Sequence, residues 1–549
     1  MKRRLPLSHG NDRAGSMHSD ASFSGPHELV IDSVEIVDGR GGPSWPGAIT
    51  VRDGRISEVI RGGTDYHRGR RVLNGEGMVA APGFIDAHQH TDVNLLVDRQ
   101  HAATLSQGVT THVIGQDGLS YAPCDRADLD SYKKYVAPIN GTPLSWDWSS
   151  VADFRRQFDG TVAVNTAYQV PHGTVRFQVS GMSNAQLVGK ALHQACHLLE
   201  EAFDQGAVGF STGLSYFPGS FAHTEEIVAL CKVAERRGRP YVTHVRSVFP
   251  HGYIDPMEEA IEIARRTGVK LHISHYRTTA TTVGRPDEVM AKLDEAYAQG
   301  VDITFDMYPY LYGSGPLHIG LPPWAFEDGL QKTLTRLADP RLRDALITGI
   351  RQNTVKLEGR FTHVPSHPEY EGRALDEVAG QHGQGVADFV CDLLLEEQLD
   401  VTFHQGTPDL LDDQEKNRRF ERDCLELLDR PFAMVGSDGI YLGKYPHERG
   451  YGTFPRLIRL AREHGFPISK LVNRMTNVPA QRFALADRGV IATGAAADLV
   501  VFDPAATREL ATVDRPRELP EGISIVVVNG QLALDRGRPT GLMAGRALS

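Results

Sequence analysis

Cysteine is scarce in this chain. The five residues, at 124, 196, 231, 391 and 424 of 549, are odd in number, scattered and never in a C-x-x-C arrangement. That argues against a disulfide framework and for a reducing, cytoplasmic setting. Long apolar runs are also missing: none approaches the roughly 18 residues of a membrane-spanning helix. The basic residues near the start, Lys2 to Arg4, are followed by no apolar segment, so residues 1–26 read as a polar, disordered tail and not as a secretory signal. Positive charge is in deficit, with a formal net charge of -11, which speaks against nucleic acid or an anionic membrane as partner. The glycine-rich stretch 206–219 has neither the Lys-Ser/Thr ending of a P-loop nor dinucleotide spacing.

What is present is an ordinary globular composition, 41% hydrophobic and 23% charged, in a chain too long for one core. From Glu28 to Gly83 short alternating segments such as Val34-Glu35-Ile36-Val37 and Ile56-Ser57-Glu58-Val59-Ile60 are separated by turns, predicting a small antiparallel sheet. The period then changes. Apolar runs at 79–85, 109–114, 162–170, 207–211, 241–245, 269–274, 301–306 and 432–436 alternate with stretches of helical spacing. Eight such units predict a closed (β/α)8 TIM-type barrel over 83–488. The gap between the last two runs predicts an insertion after strand seven, at about 315–425. Short strands return at 497–502 and 523–530, so 27–82 and 489–549 are expected to form one small β-sandwich domain from both chain ends.

The strand ends carry the chemistry, because barrel sites lie at the C-terminal ends of strands. Strand one ends in His88-Gln89-His90, whose imidazoles share a face. Strand two ends in Gly115-Gln116-Asp117-Gly118, strand five in His244, strand six in His275 and strand eight in Ser437-Asp438-Gly439. Each alone reads as well as an ordinary histidine or a turn aspartate. Four imidazoles and two carboxylates on five strand ends together predict a metal site.

These residues, with Pro82-Gly83-Phe84-Ile85-Asp86, Gly209-Phe210-Ser211-Thr212-Gly213, His272-Ile273-Ser274-His275, Asp306-Met307-Tyr308-Pro309-Tyr310 and Gly452-Thr453-Phe454-Pro455-Arg456, make the chain resemble the amidohydrolase superfamily and, within it, the D-aminoacylase (N-acyl-D-amino-acid deacylase) family. The resemblance implies that His88, His90 and Asp438 surround one metal and that His244 and His275 hold a second. Such proteins place a cysteine between the two in a G-N-C-G segment; this sequence has Asp117 there, and Cys124, outside the motif, does not take its place. A carboxylate is a harder ligand than a thiolate, so zinc, one or two ions, comes first and manganese, iron or cobalt come within range.

The expected reaction is hydrolysis of the amide bond of an N-acyl amino acid, of D configuration by resemblance. A bound ion would acidify water and polarise the carbonyl, and Asp438 would take a proton from water and deliver it to the departing nitrogen. Arg277 and Arg246, each two residues past a ligand, are candidates to clamp a substrate carboxylate. The family typically has lysine at the position of Arg277. Arg176, after strand three, is a third candidate. Tyr216 and Tyr308 match family positions near the substrate. The alternatives are opening of a cyclic, hydantoin-like amide, deacylation of a specialised metabolite, or a silent binding barrel. The expected partner is a small carboxylate-bearing molecule, and an oligomer is compatible with the sequence.

Overall fold

The structure, a computed structural model, describes residues 27–62, 69–127, 129–142, 148–246, 255–353, 357–406 and 413–549. The expected tail, 1–26, lies outside the described residues. Eight parallel strands form the central sheet in chain order: Phe84–Asp86, Val109–Ile114, Asn165–Pro171, Gly209–Gly213, Tyr241–His244, Leu271–Ile273, Ile303–Met307 and Ala433–Val435. The ring closes where Ala87 N donates to Val435 O at 3.1 Å and Asp438 N to His88 O at 2.8 Å. All eight expected runs therefore supply barrel strands, but the first, 79–85, is split: Val79–Pro82 joins the sheet of the chain ends and Phe84–Asp86 the barrel. Every residue of Val109–Ile114 and Asn165–Pro171 is buried, as expected of parallel strands covered on both faces.

Amphipathic helices surround the strands. Helix Pro256–Thr267 shows how locally these are specified: the Asp255 side chain accepts from Met257 N and Glu258 N, Pro256 opens the first turn and Gly268, at φ 75°, ends the helix. Inside the ring Ile85, Val113, Ala167, Val208, Val242 and Met434 cluster with Phe483 and Leu485. Leu548 joins them, since Ala547–Leu548 pairs in parallel with Thr166 and Ala167 of the third strand.

The two chain ends build one continuous mixed sheet. Val79–Pro82 lies between His27–Ile36 and Leu499–Phe502. The sheet curls until Ile56 N reaches Ala495 O at 2.9 Å, so that single sheet encloses its own core of Ile31, Ile49, Ile56, Leu499, Val501 and Val527.

Beyond strand seven, Gly313–Pro316, Thr402–Gln405 and Phe361–His363 form a separate antiparallel sheet flanked by helices. Helix Gln414–Leu428 packs against the barrel helices Pro286–Ala298 and Arg449–His464 and belongs to the ring. The excursion brings Gly313, Ser314 and Gln405 to the barrel mouth.

Candidate active site

The strand ends converge on Asp117. Its Oδ1 lies 3.6 Å from His88 Nε2, and its Oδ2 lies 3.7 Å from His90 Nε2, 3.5 Å from His244 Nδ1 and 3.6 Å from His275 Nε2. Asp438 Oδ1 stands 3.2 Å from His90 Nε2 and 3.7 Å from His88 Nε2. Two ligands about 2.1 Å from one zinc at a tetrahedral angle stand roughly 3.4 Å apart, which is the spacing seen here. Two ligand groups result, His88-His90-Asp117 and Asp117-His244-His275, with Asp117 common to both. Side chains of the first group are almost fully buried, whereas His244 and His275 are 19% and 20% exposed and face the opening.

The backbone is bent to achieve this. Asp117, His275 and Asp438 adopt left-handed φ of 55°, 38° and 53°, conformations that cost energy in non-glycine residues and persist where surrounding structure imposes them. A Cβ at Gly436 would stand 2.6 Å from His88 Cβ and 2.7 Å from Asp306 Oδ1; only glycine lets strand eight approach so closely. Asp306 orients the ligands from behind: Oδ1 accepts from His275 N at 3.0 Å, and Oδ2 faces His272 Nε2 at 2.8 Å and His88 Nδ1 at 3.5 Å. His90 Nδ1 meets Asn140 Oδ1 at 3.2 Å.

The donor set fits a divalent ion. His88 Nε2 and Asp117 Oδ1 are buried without a hydrogen-bond partner, a costly arrangement unless a ligand satisfies them. Burial disfavours charge on His88, yet Asp117 and Asp306 outweigh it and raise its pKa well above the usual imidazole range: the site is electrostatically prepared for a cation. Burial and the neighbouring His244 lower His275, keeping it a neutral imidazole ready to ligate.

Above this floor lies a cavity of about 370 Å³, within the usual range for small-molecule sites. Arg277, Tyr308 and Tyr216 line it as expected. Arg277 donates Nε to Tyr310 O at 2.7 Å and Nη2 to Tyr312 O at 3.2 Å, and its guanidinium lies 4.0 Å over the Tyr308 ring. Tyr216 packs against the His244 ring at 4.9 Å. Arg246 is a correction. It is absent from the cavity wall and buried in an ion pair with Glu259, Nε to Oε2 2.9 Å, while its Nη atoms donate to Ser220 O and Ala222 O. His244 at the strand end lines the cavity, whereas Arg246, two residues on, is directed to Glu259. Arg176 is likewise committed, to Glu226 at 2.5 Å.

Sequence reasoning missed Arg449. It opens the helix Arg449–His464, is buried, lines the cavity and places Nη1 2.9 Å from Asp438 Oδ2. Its guanidinium also lies over the Tyr308 ring, 4.6 Å from the centroid. The signal available was its position three residues before Gly452-Thr453-Phe454. Asp438 is buried, which would raise its pKa, but Arg449 and His90 hold it well below the usual carboxylate range.

Residues 71–533 match the family described as the Amidohydrolase family. The chain is 33% identical to D-aminoacylase of Alcaligenes xylosoxydans xylosoxydans over 96% of its length and 99% of the relative's. It is 31% identical to N-acyl-D-glutamate deacylase of the same organism, over 93% of this chain and 95% of that one. The structure of N-acyl-D-glutamate deacylase from Bordetella bronchiseptica, complexed with zinc and a phosphonate inhibitor that mimics the tetrahedral intermediate, superposes with a TM-score of 0.77 at 29% identity, covering 95% of this chain and 99% of that one. The chain therefore belongs to the amidohydrolase family, in its D-aminoacylase branch.

Proposed function

We propose that this protein is a zinc-dependent deacylase that hydrolyses the amide bond of N-acyl-D-amino acids, the D configuration following from the substrates for which its relatives are named. The observation that carries the reading is the position of Asp438, with Oδ1 among the ligands and Oδ2 against Arg449 at the cavity floor. His88, His90, Asp117, His244 and His275 would hold the metal, whose chemistry is to acidify water and polarise the substrate carbonyl. Asp438, ionised through its cationic neighbours, accepts the proton of the attacking water at Oδ1 and returns it to the leaving nitrogen. Arg277 and Arg449, both against the Tyr308 ring, hold the substrate carboxylate and so orient the amide over the floor. Tyr216 narrows the mouth beside His244. The scattered cysteines, none in a C-x-x-C arrangement, support a reducing, cytoplasmic setting, and the net charge supports a small molecule as partner, without nucleic acid or membrane. No helix among the described residues is long and apolar enough to cross a membrane.

The test is release of free amine from matched N-acetyl-D- and N-acetyl-L-amino acids, with metal content measured on the same protein. D-selective release that falls about 1,000-fold in Asp438→Asn at unchanged metal content supports the reading. Near-normal turnover in that variant removes Asp438 as the proton carrier.

A further inference from the structure

Charge and shape in the cavity go further than the reaction type and, on the reading just given, indicate which amino acid is accepted. Among the described lining residues Arg277 and Arg449 are the only arginines, and no lysine is among them. Both are partly committed. Arg277 spends Nε and Nη2 on the carbonyls of Tyr310 and Tyr312, and Arg449 spends Nη2 on Ser314 O at 3.2 Å while Nη1 faces Asp438. What remains suits one carboxylate, the one every N-acyl amino acid carries.

Apart from the histidines and aspartates at the floor, the rest of the wall is neutral. Ile139, Leu311 and Ile440 supply aliphatic surface from three different elements. Gln405, on the inserted sheet, lies across Gly313 and Gly315: a Cβ on Gly315 would meet its Nε2 at 2.6 Å, and a Cβ on Gly313 would find Tyr308 Oη at 3.3 Å, with Arg449 Nη1 and Gln405 Oε1 both at 3.7 Å. The absent side chain at Gly313 leaves open the place where these polar atoms converge. An uncharged carboxamide therefore stands beside the carboxylate-binding arginine, where a basic residue would be needed to receive a second acid. A carboxylate buried without a cation is strongly disfavoured, and selectivity often rests on that penalty.

We infer that the site selects N-acyl amino acids with uncharged side chains, packed against Ile139, Leu311 and Ile440, and that Gln405 is the position at which acidic side chains are refused. The experiment compares kcat/KM of the zinc-loaded enzyme for N-acetyl-D-leucine and N-acetyl-D-methionine with that for N-acetyl-D-aspartate and N-acetyl-D-glutamate, alongside calorimetric binding of the same four compounds. The expected result is a preference for the neutral pair of at least ~100-fold, and a gain of at least ~10-fold for N-acetyl-D-glutamate in Gln405→Lys. Acidic substrates within tenfold of the neutral ones overturn the inference, and a Gln405→Lys enzyme with unchanged preference overturns the place given to Gln405. If nothing is hydrolysed, binding separates the two claims. Tighter binding of the neutral pair then upholds the selectivity while the deacylase reading falls, and equal or absent binding removes both.

Discussion

Arg449 Nη1 lies 2.9 Å from Asp438 Oδ2, and both side chains are buried at the cavity floor. In the proposed mechanism the pair links the group that moves the proton to a group that holds the substrate. Removing the guanidinium leaves a buried carboxylate with only imidazoles beside it and, on that mechanism, removes half of the carboxylate clamp. Arg449→Gln is expected to lower kcat/KM at least ~100-fold with metal content unchanged. Arg449→Lys should recover only part, since a point charge replaces a fork. Steady-state kinetics with elemental analysis checks this; activity within about threefold of wild type would show the pair to be dispensable.

Asp117 touches both ligand groups, so its chemistry should be read in metal choice. Asp117→Cys replaces a hard ligand by a soft one and is expected to shift the bound metal toward zinc when the protein is dialysed against equimolar zinc and manganese. Asp117→Ala should lose most of its metal to a chelator that leaves wild type loaded. An unchanged zinc-to-manganese ratio in Asp117→Cys would mean that the imidazoles alone decide the metal.

Arg246 and Glu259 form a buried pair at 2.9 Å. Breaking such a pair leaves a charge without a partner, at a cost of about 3–5 kcal/mol. Arg246→Met is therefore expected to lower the denaturation midpoint strongly while KM changes less than about threefold. A raised KM with stability intact would return Arg246 to the substrate.

His318 gives stability a pH dependence away from the metal. Burial lowers its pKa from the ordinary 6.5 to about 4 in the folded protein. The unfolded chain thus takes up the proton first as pH falls: stability is full above 6.5, declines between 6.5 and 4, and is flat for this group below. The loss is about 3 kcal/mol across that window. In His318→Gln the midpoint of thermal unfolding should fall less steeply between pH 6.5 and 4.5; an identical slope would assign the acid sensitivity to other groups.

The barrel and the gathering of its strand-end side chains were legible because both write short-range patterns. Apolar runs such as Val109 to Ile114 have the length of buried strands, and His88 with His90 shows its shared face in a two-residue spacing. Arg449 was not legible, because its approach to Asp438 depends on how the chain turns between strand eight and the next helix, which no local periodicity encodes. Arg246 failed for the related reason that a side chain's direction just past a strand end is set by the loop. The single curled sheet and the reach of the inserted sheet over the mouth are likewise products of long-range pairing: Gln405 meets Gly313 across some ninety residues of chain.

The sheet shared by the two chain ends has a consequence for synthesis. Val79–Pro82 pairs early with His27–Ile36 on one side, but its other edge finds a partner in Leu499–Phe502, more than 400 positions later, and the third barrel strand is joined by Ala547–Leu548 later still. At roughly 5–20 residues per second a ribosome needs on the order of half a minute to cover that interval. Throughout it the apolar edge at 79–82 stands unpaired, a template for other nascent chains. Yield in a cell should therefore respond to translation speed and chaperone supply more than the finished molecule's stability would suggest.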